Sequence, residues 1–217
     1  MLSILYEDEY LIGCVKPPGV LSELAECDNM VSRLKKYLCK KGENDYVALL
    51  HRLDKNVGGV MVFSKNKSAT SKMAKLINER KLVKRYYAVV NGKPKESFGT
   101  YTDLLFKDSR KNKSYVVKRE RKGVKKAVLD YEVKGFIDGK SLVLVTLQTG
   151  RTHQIRVQFA SRKTPLTGDG KYGGSDNKCN IALFSTYIEF CHPITGKSIV
   201  ISQNPPKAYP FDMFEIK

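Results

Sequence analysis

The chain has 217 residues, of which 41% are hydrophobic and 28% are charged. These proportions exclude an intrinsically disordered chain, and the length suits one domain, residues 1–217, rather than two. The 39 Lys and Arg residues outnumber the 22 Asp and Glu residues, which gives a net charge of +17. This surplus favours nucleic acid as the partner over an anionic membrane surface or a surface that is basic only for solubility.

Several classes of protein are disfavoured by the sequence. No apolar run approaches the roughly 18 residues of a membrane span, and the first residues lack the features of a secretory signal, so we expect a cytoplasmic protein that binds no membrane. The five cysteines form no C-x-x-C pair, and their odd number predicts free thiols. With only three histidines and no second ligand pair near Cys191-His192, no metal site is predicted.

The first part of the chain predicts two strands and two amphipathic helices. Residues 11–15 are apolar and precede two prolines that cannot join a strand ladder. Residues 30–41 place apolar side chains at helical spacing, which predicts a surface helix. Residues 60–63 predict a buried strand, and Asn66 or Ser68 is a suitable cap for a second helix with one apolar stripe.

The middle of the chain predicts strands. Residues 85–90 alternate so that Tyr86, Ala88 and Val90 share one face of a strand. Residues 127–134 and 141–147 flank Asp138-Gly139, a strong hairpin signal.

The remaining elements complete the predicted fold. Thr152 is a suitable cap for a helix that runs to about Ser161. Residues 181–190 and 198–201 predict two closing strands. Because strands dominate and helices are few and scattered, the predicted class is α+β, with a mixed, largely antiparallel sheet and flanking helices.

One segment is unusually basic. Residues 107–126 contain ten Lys or Arg residues against Asp108 and Glu120, with Tyr115 and two valines interleaved. Such a run is usually a solvated face or a mobile loop. Given the net charge of the whole chain, we interpret it as a segment that grips phosphates, which would supply salt-dependent affinity rather than choice of site.

An ordered set of short motifs resembles one family, the RluA-type pseudouridine synthases, which isomerise uridine in structured RNA. The motifs are Lys16-Pro17-Pro18-Gly19, His51-Arg52-Leu53-Asp54 with Gly58-Gly59, Lys84-Arg85-Tyr86-Tyr87-Ala88, the block 149–156, Gly168-Asp169 with Tyr172-Gly173, and His192-Pro193. The resemblance implies the fold of that family, with a central active-site cleft. It also implies a catalytic domain without a separate N-terminal RNA-binding module.

The resemblance implies that Asp54 is the catalytic aspartate. Breaking the bond between uracil and ribose and rejoining the base through carbon 5 needs no cofactor, but it needs an ionised carboxylate. The sequence does not decide whether that carboxylate attacks the ribose, attacks the ring or removes a proton. Because desolvation by the bound base opposes ionisation, a cation is required, and Arg151 matches the family arginine.

Four further residues are assigned by the resemblance. Tyr86 would pack on the target uracil, although for a lone strand tyrosine core packing would be the better interpretation. Ile155 would form an apolar wall beside the base or belong to the core. Arg52 would help to displace the flipped nucleotide or form a plain salt bridge. Lys84 would contact the substrate.

Two other functions compete with an RNA-modifying enzyme. A binding module or RNA chaperone with an inactive site has the same charge, but the intact Asp54, Tyr86 and Arg151 disfavour it. A phosphoryl-transfer enzyme lacks support because the glycines form no P-loop. We therefore predict an RNA pseudouridine synthase that acts on ribosomal or transfer RNA as a monomer, without an obligatory protein partner. Ser22 stands where this family frequently has histidine.

Overall fold

The computed structural model describes residues 2–216. Packing divides the chain into two compact units. The first unit contains the chain up to Lys84 together with Phe184–Gln203, and the second contains Arg85–Leu183 together with the chain from Asn204 onward. The expectation of a single domain over residues 1–217 stays a prediction.

Residues 2–216 form eleven strands, three α-helices and one 3-10 turn, so the predicted α+β class is confirmed. The strands are β1 Ser3–Glu7, β2 Leu11–Lys16, β3 Ala48–Leu49, β4 Gly58–Ser64, β5 Val83–Asn91, β6 Phe98–Asp108, β7 Lys113–Val117, β8 Val124–Ile137, β9 Lys140–Leu147, β10 Leu183–Cys191 and β11 Ser198–Ser202. The helices are α1 Met30–Lys40, α2 Lys67–Asn78 and α3 Gln154–Ala160, and the 3-10 turn is Phe211–Met213. Within the described chain, no helix combines the length and the apolar character that a membrane crossing needs.

In the first unit the strands surround β4, which is buried along its whole length. β4 pairs antiparallel with β2 and β3, while β10 runs parallel to it and pairs antiparallel with β11. At the parallel contact, Gly59 has a φ of +124°, and a Cβ there would lie 2.3 Å from the carbonyl oxygen of Ser185. Only glycine allows this close approach, which fixes the start of β4 shortly after Asp54.

One hydrophobic cluster of the first unit packs β4 and its neighbouring strands against α2. Its buried members are Leu11, Val60, Val62, Ala69, Met73, Leu82, Ile188, Phe190 and Ile201. The side chain of Asn66 accepts a hydrogen bond from the Ala69 backbone N–H at 2.8 Å, so Asn66 rather than Ser68 caps α2. Both predicted amphipathic helices are confirmed.

In the second unit five strands follow the order β5-β9-β8-β6-β7, with antiparallel neighbours. Asp138 and Gly139 join β8 to β9 with φ values of +48° and +71°. Positive φ at both central residues is the requirement of a tight hairpin turn, so this prediction is confirmed.

The predicted start of α3 is wrong. The cap is His153, in a left-handed conformation with φ of +53°, and the helix covers only Gln154–Ala160. Thr152 does not cap it, because the side chain of Gln154 organises the turn. Its Oε1 accepts hydrogen bonds from the Arg151 backbone N–H at 3.0 Å and from the Thr149 hydroxyl at 2.8 Å.

Half of the basic run 107–126 lies in strands, so it is not a mobile loop throughout. It contains the end of β6, all of β7 and the start of β8, and β7 pairs with β6 from Lys113 to Val117. We call residues 107–126 the basic hairpin. Neither β6 nor β7 was predicted from the sequence.

An ion network joins the start of the chain to α1 and to the end of β4. The Glu7 carboxylate accepts hydrogen bonds from Lys41 at 2.8 Å, Lys65 at 2.9 Å and the Tyr37 hydroxyl at 2.8 Å. Burial alone would raise the pKa of Glu7, but these hydrogen bonds outweigh it and lower the pKa to about 2.

This network predicts a pH-dependent loss of stability in the Glu7→Gln variant. Because the pKa of Glu7 is lowered on folding, the ionised carboxylate stabilises the fold above about pH 4.5, and this contribution is lost as the pH falls towards 2. We expect the variant to lose on the order of 2 kcal/mol of unfolding free energy at pH 7 and much less at pH 3, measured by urea denaturation.

The matched control is Asp45→Asn, which removes an exposed pair with Lys35 at 3.4 Å. This change should cost less than about 1 kcal/mol at either pH. Equal losses in the two variants would contradict the role given to Glu7.

Candidate active site

Asp54 lies in a loop between β3 and β4 whose neighbours anchor it. Leu53 and Val57 are buried, with 7% and 2% of their surface exposed, whereas Asp54 is half-buried between them. The Val57 backbone N–H donates to the Asp54 carbonyl oxygen at 3.0 Å, which closes a turn. The loop therefore holds a carboxylate near the surface while its two apolar neighbours point inward.

A positive charge lies buried near this carboxylate. Lys16, at the end of β2, is 0% exposed, and its ammonium group donates to the backbone carbonyl oxygens of Pro17 at 3.0 Å, Val20 at 2.7 Å and Lys55 at 2.9 Å. Burial lowers the pKa of Lys16 to about 8, although the negative charge of Asp54 opposes the shift. Only the protonated amine can donate to all three carbonyls.

His51, at the start of the same motif, serves as a neutral hydrogen-bonding group. Its Nε2 accepts from the Val62 backbone N–H at 3.2 Å. Burial, helped by the charge of Lys84, lowers the pKa of His51 to about 3, so the imidazole is uncharged at neutral pH. Lys84 is itself half-buried at the start of β5, and desolvation lowers its pKa.

Arg52 faces solvent in the first unit. Its guanidinium donates to the Glu23 carboxylate at 2.9 Å, and about half of each side chain is exposed. The plain salt bridge considered from the sequence is therefore present. Its role in displacing a nucleotide stays a prediction.

The other predicted site residues belong to the second unit. Tyr86 lies in β5 opposite Val145 of β9 and is 5% exposed. Ile155 lies in α3 and is 4% exposed. Arg151 is half-buried, and its Nε donates to the Lys126 carbonyl oxygen at 3.0 Å. The pairing of Asp54 with Arg151 stays a prediction.

A second arginine of the block 149–156 was missed from the sequence. Arg156 is 5% exposed and forms a bidentate pair with Asp169, with distances of 2.7 Å from Nε and 2.8 Å from the terminal nitrogen. Asp169 is fully buried, and the Arg156 guanidinium lies 5.1 Å from the centre of the Tyr172 ring. The signal available was the Gly168-Asp169 motif, which places a carboxylate 13 residues after Arg156.

Tyr172 connects this arginine to the basic hairpin. Its hydroxyl accepts from the Ser114 backbone N–H at 2.8 Å and lies 2.9 Å from Nδ1 of His153. The Ser114 hydroxyl donates to the Thr152 carbonyl oxygen at 2.7 Å. β7 is therefore fastened to the turn that precedes α3. In residues 2–216 no group of three or more His, Cys, Asp or Glu side chains is arranged to hold a metal ion.

A sequence model of the RNA pseudouridylate synthase family matches residues 10–161, a range that includes both the Asp54 loop and the block 149–156. The chain belongs to this family. The expected resemblance is confirmed by a match that covers most of the chain.

Two relatives support the family, and one solved structure shares the fold. The chain is 33% identical over 209 residues to a ribosomal large subunit pseudouridine synthase C of Buchnera aphidicola, with 92% of this chain and 66% of that protein covered. It is 32% identical to the uncharacterised RNA pseudouridine synthase YhcT of Bacillus subtilis, with 98% and 70% covered. The structure of human RNA Pseudouridylate Synthase Domain Containing 4 shares the fold, with a TM-score of 0.79, 22% identity and 94% and 89% covered. The chain thus spans slightly less than two thirds of the Buchnera family member.

The buried bidentate pair between Arg156 and Asp169 predicts that Asp169→Asn destabilises the protein. The change removes the charge from one member of a buried bidentate pair, which typically costs about 3 kcal/mol. We expect a loss of that order in the unfolding free energy at pH 7, measured by urea denaturation.

The control is again Asp45→Asn, which removes the exposed pair with Lys35 at 3.4 Å and should cost less than about 1 kcal/mol. The assignment of a structural role to Asp169 fails if its variant is as stable as the natural protein.

Proposed function

We propose that this protein isomerises specific uridines to pseudouridine in structured RNA and that Asp54 supplies the essential carboxylate. The observation that carries the proposal is the family match over residues 10–161, with Asp54 inside it. The net charge of +17 supports RNA as the substrate. No electron carrier or nucleotide energy is needed, because the reaction exchanges one bond to the base for another.

The carboxylate has to remain ionised when a base covers it. Desolvation opposes ionisation, so positive charge nearby is required. The buried ammonium of Lys16 supplies such a charge within the first unit, since its electrostatic interaction with Asp54 opposes the loss of its proton. Asp54 can then act on the ribose, on the ring or on a sugar proton, and these three routes stay open.

An arginine is proposed as the second cation. Arg151 is the residue predicted from the sequence, and its Nε is engaged by a backbone carbonyl. Arg156 is less suited to this role, because the buried carboxylate of Asp169 already neutralises its guanidinium through two hydrogen bonds. Arg151 therefore remains the proposed cation.

The target base has to leave its stack before it can react. Base flipping costs a few kcal/mol and places the nucleotide in a pocket. We propose that Tyr86 packs on the extruded uracil and that Ile155 excludes water from one side of it. We propose that Arg52 helps to displace the flipped nucleotide from its stack and that Lys84 contacts the substrate.

The basic hairpin is the proposed grip on the RNA backbone. Lys118, Arg119, Arg121 and Lys122 are all exposed, and the Arg121 guanidinium stacks 4.7 Å from the centre of the Phe106 ring. Exposed cations in a row attract phosphates and release counterions on binding. Because Tyr172 and Ser114 fasten β7 to the turn before α3, RNA held on the hairpin lies against an ordered part of the second unit.

Ribosomal RNA is the proposed substrate class. The Buchnera relative is named a ribosomal large subunit pseudouridine synthase, which favours ribosomal over transfer RNA. A cytoplasmic location, a monomeric state and independence from a protein partner stay predictions. An RNA-binding protein without activity is the competing function, and catalysis by purified protein separates the two.

One prediction of the proposed function concerns catalysis by Asp54. Ribosomal RNA labelled with tritium at uracil carbon 5 should release tritium when it is incubated with the natural protein, because carbon 5 loses its hydrogen on rejoining the ribose. Asp54→Asn should reduce release by about 10³-fold or more while leaving RNA affinity within about threefold, measured by filter binding.

Asp45→Asn, on the loop before β3, is the matched control and should release tritium normally. Normal turnover by Asp54→Asn would contradict the role of this carboxylate. Tight RNA binding without release by the natural protein would favour the competing function.

A further prediction of the proposed function concerns the salt dependence of RNA binding. Replacing Lys118, Arg119 and Lys122 together by alanine should weaken RNA binding and reduce the slope of log affinity against log salt by about 2, since each lost phosphate contact contributes roughly 0.7 to 0.9. A triple replacement of the exposed Lys67, Lys72 and Lys75 on α2 is the control. An equal change in slope for both variants would contradict a specific role of the basic hairpin in binding RNA phosphates.

A further inference from the structure

One short segment, residues 16–22, holds the main chain on both sides of Asp54. On the N-terminal side the Ser22 hydroxyl donates to the Leu53 carbonyl oxygen at 2.9 Å and accepts from the Leu53 backbone N–H at 3.0 Å. Ser22 is only 3% exposed, so water does not compete for these bonds. A single side chain thus satisfies both polar groups of the residue before Asp54.

On the C-terminal side the same segment holds Lys55. Its carbonyl oxygen accepts from the Lys16 ammonium at 2.9 Å and from the Gly19 backbone N–H at 2.8 Å. The side chain of Lys55 is exposed, so the hold acts on its backbone alone. Both neighbours of Asp54 are therefore fixed by hydrogen bonds to residues 16–22.

The segment is itself stiff enough to act as a support. Pro17 and Pro18 restrict its backbone, and the Lys16 ammonium closes it by donating to Val20 at 2.7 Å. β2 precedes the segment, and the Met30 backbone N–H at the start of α1 donates to the Leu21 carbonyl oxygen at 2.8 Å. The support is thus anchored to a strand at one end and to a helix at the other.

We infer that residues 16–22 are a positioning element for the carboxylate of Asp54, with Ser22 as its key side chain. The inference rests on the proposed function, because it assigns the held carboxylate to the isomerisation. A reacting group displaced by about 1 Å can lose on the order of a hundredfold in rate. Ser22 does not touch the substrate in this account, since it acts through the backbone of Leu53.

Removal of the Ser22 hydroxyl has a defined local consequence. The N–H and C=O groups of Leu53 would remain buried without that partner, or the loop would shift to let water reach them. Either response changes the placement of Asp54 and leaves the basic hairpin, in the second unit, untouched. The rate of the bound complex should therefore fall while RNA affinity is kept.

The test compares Ser22→Ala and Ser22→Thr with Ser64→Ala. Ser64 is also fully buried, and its hydroxyl likewise bonds to the backbone: it donates to the carbonyl oxygens of Asn66 at 2.8 Å and Tyr10 at 3.5 Å and accepts from the Asn66 N–H at 3.4 Å. It lies at the end of β4 that is farther along the chain from the Asp54 loop. Single-turnover pseudouridine formation at saturating protein should slow about tenfold or more in Ser22→Ala. Ser22→Thr, which keeps the hydroxyl, and Ser64→Ala should stay within about threefold of the natural protein, and RNA affinity should change little in all three.

A second measurement does not depend on activity. Amide hydrogen exchange should speed up for residues 53–57 in Ser22→Ala and not in Ser64→Ala, at a temperature where both variants are folded. Lys16→Met should increase exchange in the same residues by removing the hold on Lys55.

The outcomes separate the inference from the function on which it rests. A natural protein that forms no pseudouridine contradicts the proposed function, while the exchange data still decide whether residues 16–22 order the loop. An active natural protein with an equally fast Ser22→Ala variant, or equal slowing in Ser64→Ala, overturns the positioning role. A loss of RNA affinity equal to the loss of rate overturns it as well.

Discussion

The first unit depends on a lysine charge that has been taken out of water. The ammonium of Lys16 is removed from water and donates hydrogen bonds to three backbone carbonyls instead. The negative charge of Asp54 helps to keep this ammonium protonated. Burying such a charge is costly unless every donor is used, and here all three donors have an acceptor. The same bonds bring β2, the proline turn and the Asp54 loop to one place.

The regular elements could be predicted because their signals are local. Apolar spacing and an asparagine cap define α2, and Asp138-Gly139 defines the hairpin between β8 and β9. The start of α3 could not be predicted in the same way. A threonine before a helix favours capping. In the structure, however, the side chain of Gln154 accepts the hydrogen bond from the Arg151 backbone N–H, and the cap residue is His153 in a left-handed conformation.

The candidate site was only partly accessible from the sequence. The family and the importance of Asp54 follow from the order of the motifs, because motif order can be read directly from the sequence. The support of Arg156 does not, because it depends on Asp169 and Tyr172 folding back onto α3. The hydrogen bonds on both sides of Asp54 are likewise made to the backbone of Leu53 and Lys55. The side-chain identities of these two residues therefore give no sign of them.

The central claim is that this protein forms pseudouridine in RNA with the carboxylate of Asp54. The most direct measurement is mapping of pseudouridine at single-base resolution in ribosomal RNA from cells that lack the gene and carry either the natural or the Asp54→Asn protein. We predict that at least one modified position disappears without the gene, returns with the natural protein and stays absent with the variant. An unchanged set of modified positions in cells without the gene, or full restoration by Asp54→Asn, would contradict the claim.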